Sequence, residues 1–552
     1  MTTPRAGRRA SDGPAETGVR PFVPKNFYWP KTVQEACACV EQACASNPHT
    51  RIRVRGSQHS EANAVYTTGF DPVRGPRPWQ QGRVNLILDE LLSFELGPEG
   101  LAVGAGHHLG PDPYAEGPAQ QPVNSLAHKL DELGLALPAL GGISHQSLGG
   151  FLSTGSAGGS VQHDLTDAIS WVRLVDGSGR VRTINRQKHQ DVFDAALPSF
   201  GLFGIIVEVG FDPALLPRKF DVAMTSQVVS LEKWGIDPFQ EGELAKFFRE
   251  NEYARLLWWP QPHVNKVEAW TGQRVPHDPD RKNPYVSFSP FVQQLAHDLF
   301  LHVLNDADLR RNRGGIRAVL RDLESRLEHL HWDAPRGRAL HRVPHFRALR
   351  RGQWLSTIRP ILRLIPNDLL VGGFLNLFLL DESHDDLQDI WYRALPHDNQ
   401  IDDNVIPVVF TEMWTDLDRS HEVMRTLKRL FKAQGLDATG TMCVEIYAAK
   451  KRTAWMSPAH DVDVLRVDPF VFGAGKRTHA QARRFFRQHW EALSRFDFRN
   501  HWGKVLPPAA GPTGVAYRKK TFPRLADFLD LRRDFDPEGV FLNDYWREHL
   551  GF

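Results

Sequence analysis

The chain has 552 residues, 41% of them apolar and 24% charged, with a formal net charge of only +2. That length suggests about three to four domain-sized units, and the near-neutral balance excludes a general polyanion-binding field, so no nucleic-acid partner is expected. Four cysteines (Cys37, Cys39, Cys44 and Cys443) are too few and too clustered for a secreted disulfide framework. Cys37 and Cys39 lie two apart on an expected helix and point in different directions, so packing rather than a metal site is expected.

Residues 1–20 are rich in Arg, Gly, Ser, Thr and Pro without an apolar core, which predicts a disordered tail rather than a secretory signal. Order should begin near Phe22, with a helix over Val33–Ala45 after Pro30. Arg51–Ser60 (RIRVRGSQHS) reads as a short strand in which Ile52 and Val54 alternate with arginines, broken at Gly56 and Ser57 into a tight turn. Such a turn exposes several amide hydrogens at one concave spot, a cradle for phosphate, and His59 follows on the same turn. Strands follow over Val84–Leu88 and Leu101–Gly106, then a Pro-rich insertion over Gly110–Pro122 and a helix over Val123–Gly134.

Leu137–Asp164 (LPALGGISHQSLGGFLSTGSAGGSVQHD) is rich in glycine yet interleaved with Leu, Ile and Phe. The apolar residues pin it into a core, while the glycines let backbone touch a ligand. Ser144, Ser147, Ser153, Thr154 and Ser156 add hydroxyls. Ile169–Val175 and Val181–Ile184 predict a hairpin over Asp176-Gly-Ser-Gly, and Phe200–Val209 a buried strand. No Gly-x-Gly-x-x-Gly follows a strand with an acid beyond, which disfavours a Rossmann unit.

From Pro213 the character changes. Ala254–Thr271 reads as an aromatic-rich strand pair, Phe291–Leu330 as mostly helical, and Asp402–Trp414 and Thr441–Ala448 as strands. The apolar run Leu369–Leu380 is too short to span a bilayer and reads as a core strand, so no transmembrane segment and a cytoplasmic location are expected. The organisation read here is a tail (1–20), a strand-dense domain (21–212), an α+β domain with a helical excursion near 291–365 (213–494), and a C-terminal segment (495–552).

Four stretches together resemble the vanillyl-alcohol-oxidase superfamily of PCMH-type FAD-binding flavoproteins: Arg55–Ser60, Leu137–Asp164, His501-Trp-Gly-Lys504 and Asp536–Gly551. Within it the nearest likeness is to the sugar-lactone and alditol oxidases, with a secondary likeness to covalent-flavin cholesterol oxidases. The resemblance implies an α+β fold: a two-subdomain FAD-binding domain over 21–212, a substrate (cap) domain with a large antiparallel sheet over 213–494, and a C-terminal segment returning to the FAD domain. It implies FAD bonded covalently through His59. With no cysteine between Cys44 and Cys443, a single tether is implied. The implied cradle is Arg55, Gly56, Ser57, Gln58, Ser60, Ser144, Gly149, Gly150, Ser153, Thr154, Gly155, Ser156, Asp164, Ile206 and Lys504.

Alcohol oxidation by a flavin needs a cation or base beside the reacting hydroxyl and a positive group where the reduced ring gathers charge. Lys504 is the candidate cation, with His501 beside it either catalytic or a polar core residue. Glu445 and Tyr447 face one side of a strand. The family pattern there is Glu-x-Arg, so Tyr447 departs from it. Ala157 and Asp468 stand where relatives carry histidine. Glu412 is a strand carboxylate that is either structural or functional, and His263 is either at the cavity mouth or on a surface loop. The implied reaction is oxidation of a CH–OH group of a small-molecule alcohol, with oxygen or another acceptor. A sugar lactone or polyol leads. A bulkier apolar alcohol such as a sterol, or a flavin-binding scaffold without turnover, remains open.

Overall fold

The computed structural model describes residues 27–46, 49–57, 59–67, 70–71, 75–76, 82–111, 125–281, 283–285, 367–380, 383–396, 408–472 and 476–552. The expected N-terminal tail, the helical excursion near 291–365 and Gln58 lie outside the described residues.

Strands β1 (Phe27–Tyr28) and β2 (Arg51–Arg55) flank a later strand, β5 (Arg83–Ile87), in a parallel three-stranded sheet, with the two-residue strands β3 (Phe70–Asp71) and β4 (Gly75–Pro76) forming a hairpin between them in sequence. In β2, Ile52 is buried as its apolar side chain dictates, but Arg53 is buried too. Its Nε, Nη1 and Nη2 donate to the carbonyls of Ala64, Phe541 and Phe200 at 3.0, 2.9 and 2.7 Å, and burial pushes its pKa down to about 9. One guanidinium thus ties β2 to the short helix Ala62–Val65, to the segment before β10 and to the C-terminal segment. The amide of Ile52 also donates to Val540 O at 2.8 Å.

A second sheet runs β6 (Phe94–Gly97), β7 (Gly100–Gly104), β10 (Ile205–Phe211), β8 (Ile169–Val175), β9 (Val181–Asn185), antiparallel throughout. Central β10 is buried along its whole length, as its Ile-Ile-Val run predicts. The β8–β9 hairpin turns where expected: Asp176 Oδ1 accepts from the amides of Ser178 and Arg180 at 2.9 and 3.0 Å, holding the turn.

The third sheet has nine strands: β11 (Phe220–Ser230), β12 (Tyr253–Trp259), β13 (Lys266–Pro276), β14 (Ser383–Ile390), β15 (Val408–Phe410), β16 (Met413–Asp416), β17 (Val444–Ala449), β18 (Val464–Phe472) and β19 (Arg499–Asn500). The order is β14-β11-β13-β12-β17-β18-β16-β19, with β15 also on β18, and every pair is antiparallel. This is the large antiparallel sheet of the expected α+β fold. β19 leads directly into the His501–Lys504 motif, so the sheet delivers that motif to the site.

One expectation is overturned. Leu369–Leu380 lies mostly in a helix, Asn367–Phe378, not a core strand. Periodicity cannot tell a buried strand from a helix in a short, continuously apolar run. Here Leu predominates and Val371 is the one β-branched residue of the run, which suits a helix, and Val371, Leu375 and Leu379 repeat at helical spacing into a small core. No helix among the described residues is long and apolar enough to cross a membrane.

Candidate active site

Two cavities, a slot and a chamber, meet against the large sheet. Gln146, Ser156, His501 and Lys504 line both.

The slot is built from the two glycine-punctuated stretches. Arg55, Gly56, Ser57, His59 and Ser60, at the end of β2, form one wall. Gly149, Gly150, Ser153 and Thr154 of helix Leu148–Thr154 form another, with Ile206 of β10 behind. Ser147 caps that helix, its Oγ accepting from Gly150 N at 3.3 Å, and Gly155 ends it in the left-handed region at φ +74°. The walls approach closely: a Cβ on Gly56 would fall 1.9 Å from Ser147 Oγ, and one on Gly149 would fall 3.0 Å from Ala105 Cβ. The slot-lining Ser57 Oγ and Arg55 Nε are buried without hydrogen-bond partners among the described residues. Buried polar atoms of this kind are normally satisfied, so the slot is chemically incomplete by itself. A hydroxyl donor and a guanidinium along a wall of small residues fit the phosphates and ribityl hydroxyls of FAD.

Three implied cradle residues line neither cavity. Ser144 donates its hydroxyl to Pro111 O, and its carbonyl accepts from Gly110 N at 2.7 Å, so it braces a loop. Asp164 accepts from Thr166 N at 2.8 Å and forms a buried ion pair with Arg452. Gly155 serves as the helix stop, and its carbonyl accepts from Arg452 Nη1 at 3.2 Å. In a Gly-rich stretch some polar side chains face the ligand and others staple the loop, and sequence spacing does not separate them.

At the junction, His501 Nδ1 accepts from Gly503 N at 3.1 Å. A backbone N–H can only donate, so the proton of the neutral ring sits on Nε2, which donates to Ser156 Oγ at 2.9 Å. The Ser156 hydroxyl in turn meets Thr154 Oγ1 at 3.0 Å, and Thr154 Oγ1 donates to Gly150 O at 3.0 Å. Burial pushes the His501 pKa down to about 4, in keeping with a neutral ring. Lys504 is buried; its Nζ lies 3.5 Å from the centre of the Phe410 ring and donates to His59 O at 3.4 Å. This cation therefore touches the chain at the slot wall while also lining the chamber.

The chamber is charged. Glu445 and Tyr447 of β17 both line it, as their shared strand face predicts, and so do Glu412 and Asp468. Arg466, two residues before Asp468 on β18, was not singled out by sequence, yet it organises the wall. Its Nη2 donates to Glu412 Oε2 at 3.2 Å and to Asp468 Oδ2 at 3.0 Å, and its Nη1 to Ala157 O at 3.0 Å. Glu412 also accepts from Trp414 Nε1 at 3.0 Å. Burial alone would raise the Glu412 pKa, but Arg466, His501 and Lys504 outweigh it and hold it at about 2. Burial and the Glu412 charge push Asp468 well above the carboxylate range. Two carboxylates share one guanidinium, and the protein settles the conflict by ionising one of them.

Tyr447 sits in a row that crosses five strands in register: Trp270, Arg255, Tyr447, Arg466 and Trp414. The guanidinium of Arg255 lies 5.3 Å from the Trp270 ring and 6.0 Å from Tyr447, and that of Arg466 lies 4.8 Å from both Tyr447 and Trp414. Arg255 Nη1 also donates to Tyr447 Oη at 3.2 Å. Arg255, Arg466 and Gln146 are the site residues that sequence reasoning missed. The signal for Arg466 is its same-face spacing with Asp468, legible once β18 is paired with β17. His263 lines neither cavity and lies on a half-exposed loop at φ +66°. No disulfide and no metal-binding cluster occur among the described residues, and burial pushes the thiols of Cys37, Cys39 and Cys44 up.

Comparison with known proteins bears on the family and the fold. Residues 403–549 match the family model described as ALO, D-arabinono-1,4-lactone oxidase. The chain is similar to the D-arabinono-1,4-lactone oxidase of Candida glabrata, 28% identical over 52% of this chain and 48% of that protein. It is 33% identical to the putative D-arabinono-1,4-lactone oxidase of Neurospora crassa over 27% of this chain and 25% of that one. The alditol oxidase of a Streptomyces species is 23% identical over 77% of this chain and 78% of that protein. The chain thus spans about half, or less, of the length of the lactone oxidases it matches. Among solved structures, the cholesterol oxidase of B. sterolicum superposes with a TM-score of 0.60 at 14% identity, covering 95% of this chain and 94% of that one, a likeness of fold. Family model, relatives and fold all fit the flavoprotein superfamily that the four motifs resemble.

Proposed function

We propose that the protein is an FAD-dependent oxidoreductase that oxidises a CH–OH group of a small polyhydroxylated alcohol, a sugar lactone or an alditol, with oxygen as the acceptor. The observation that carries this reading is the shared wall. Lys504, His501, Ser156 and Gln146 belong at once to a slot that fits FAD and to the charged chamber beside it. Bound in the slot, the flavin supplies the hydride acceptor, and His59 on the slot wall is the proposed single point of covalent attachment.

The chain's own residues account for the rest. Lys504 places a buried positive charge between the cavities, where negative charge gathers during oxidation. His501, with Nε2–H committed to Ser156 and Nδ1 to Gly503, is a neutral positioning residue that fixes the Gly503–Lys504 backbone. Glu445 and Tyr447 face the substrate from the sheet. A sterol suits this chamber poorly, because an apolar body against Arg255, Arg466, Glu412 and Glu445 would desolvate charges without replacing their hydrogen bonds.

Anaerobic bleaching of the protein's flavin tests the reading. Lactones and alditols should bleach it and lipophilic alcohols should not. The opposite ranking overturns the substrate class, and no bleaching by either panel overturns the activity. Acid precipitation separates the tether question: the flavin should stay with the wild-type pellet and be released from His59→Ala.

A further inference from the structure

Asp468 is 1% exposed and lines the chamber, and its two oxygens are treated differently. Oδ2 accepts from Arg466 Nη2 at 3.0 Å. Oδ1 is buried without a hydrogen-bond partner among the described residues. An unsatisfied carboxyl oxygen costs stability unless something completes it. It borders a cavity built for a ligand, so the completing group should be the ligand's.

The surroundings narrow the kind of group. Around Asp468 stand Arg466 on its own strand, Glu445 directly opposite on β17, Tyr447 on the same face of that strand, Glu412 just before β16, and His501 and Lys504 from the segment after β19. Arg466 Nε is likewise buried without a partner among the described residues, and so is Oε1 of Gln146, on the chamber wall. Unmet donors and acceptors thus sit around one space. A second carboxylate would meet repulsion from Glu412 and Glu445, and an apolar group would leave all three atoms unmet. A hydroxyl can both give and accept a hydrogen bond, so several of them on one small carbon frame match the wall.

We propose that Asp468 contacts the substrate and sets its specificity, with Oδ1 hydrogen-bonded to a substrate hydroxyl other than the one oxidised; this inference rests on the CH–OH oxidation proposed above. The raised pKa of Asp468 supports it, since a protonated carboxyl can donate to a neutral hydroxyl next to Glu412 and Glu445 without adding a third negative charge. The residue selects by pairing. A substrate lacking that hydroxyl leaves Oδ1 unmet, which is how a polar site rejects a deoxy analogue.

The test uses holoenzyme whose flavin has been reduced in advance, so that binding is read without turnover. Calorimetry compares D-arabinono-1,4-lactone with its monodeoxy analogues on the wild type and on Asp468→Ala. The wild type should bind the parent lactone at least about tenfold more tightly than one particular deoxy analogue, one buried hydrogen bond being worth roughly that much. Asp468→Ala should lose that preference while binding the same analogue as the wild type does. Equal weakening of both ligands, or no preference in the wild type, overturns the proposal. Infrared difference spectra need no folded alanine variant. The carbonyl band of a protonated carboxyl, absent in Asp468→Asn, should shift on adding the lactone and stay put with the deoxy analogue; an unshifted band overturns the contact. A lactone that binds with this preference yet never bleaches oxidised flavin would sink the oxidation and leave the contact standing.

Discussion

The guanidinium of Arg466 lies 4.8 Å from the centre of the Tyr447 ring, and the two residues face each other across β17 and β18. Arg255 faces Tyr447 from the other side, on β12. The position where the sugar-oxidase pattern has arginine is therefore an aromatic spacer between two arginines on neighbouring strands. The cationic character of the wall is kept and moved one strand to either side.

Introducing the arginine of the sugar-oxidase pattern should therefore do harm. Tyr447→Arg would put a third guanidinium between two others. At about 5 Å and an effective dielectric near 20, each like-charge pair costs roughly 3 kcal/mol, partly offset by Glu445 and Glu412. A net loss of roughly 2–4 kcal/mol is expected in denaturant unfolding. Tyr447→Phe, which loses the bond from Arg255 Nη1, should cost about 1 kcal/mol. A Tyr447→Arg variant as stable as the wild type would show that the row is not electrostatically tuned.

Lys504 is expected to matter through its charge. Lys504→Met keeps most of the volume over the Phe410 ring and removes the ammonium group. Stopped-flow reduction of the flavin by a lactone or alditol should slow by ~10²-fold or more, as loss of a preorganised charge partner typically does. A rate within a few-fold of wild type would remove Lys504 from the mechanism.

Gly56 is required by contact rather than by backbone angle. A methyl group there would press on Ser147 Oγ, which can escape only by leaving Gly150 N and uncapping helix Leu148–Thr154. Gly56→Ala should lose about 1 kcal/mol through the cap and bind less flavin. Adding Ser147→Ala should restore flavin content in part, because the clashing oxygen is gone. If Gly56→Ala alone keeps full flavin occupancy, the close approach of the two walls is not what shapes the slot.

Much of this arrangement was legible in the sequence because local rules carry it. The Gly56-Ser57 turn and the hairpin over Asp176 are set by turn chemistry within a few residues of one another, whereas the helix from Leu148, capped by Ser147, was read only as part of a glycine-rich stretch. The chamber was harder, because its wall is made by register. Glu445 and Tyr447 could be put on one face from their spacing, but their neighbours Arg255 and Arg466 are 192 and 19 positions away in number and meet them only through strand pairing. The burial of Arg53 was not legible from the alternation of Ile52 and Val54 with arginines, since no local pattern announces the carbonyls of Ala64, Phe200 and Phe541 that it meets. Leu369–Leu380 failed for the opposite reason: a uniformly apolar run has no period to read.

Acid should weaken the fold before its carboxylates protonate. Burial lowers the pKa values of His107, His489 and His501 to about 4 and that of His549 to about 3. An unfolded histidine titrates near 6.5. Between about pH 6.5 and 4 the unfolded chain therefore takes up protons at these positions that the folded chain refuses, and stability falls as pH falls. Asp468, Asp536 and Glu268, raised by burial, act in the other direction, and His128, His163 and His460, lowered by burial, add to the histidine side. Glu412 joins lower down: held at about 2, it stabilises above its ordinary value near 4.5 and loses that contribution as pH drops toward 2. His489 isolates the effect, because it lines neither cavity and its Nδ1–H simply donates to Phe485 O at 3.1 Å. His489→Gln should be less stable than the wild type at pH 8, yet the difference in unfolding free energy between pH 8 and pH 5 should shrink by roughly 2 kcal/mol. An unchanged pH difference would mean that His489 is already protonated in the folded protein.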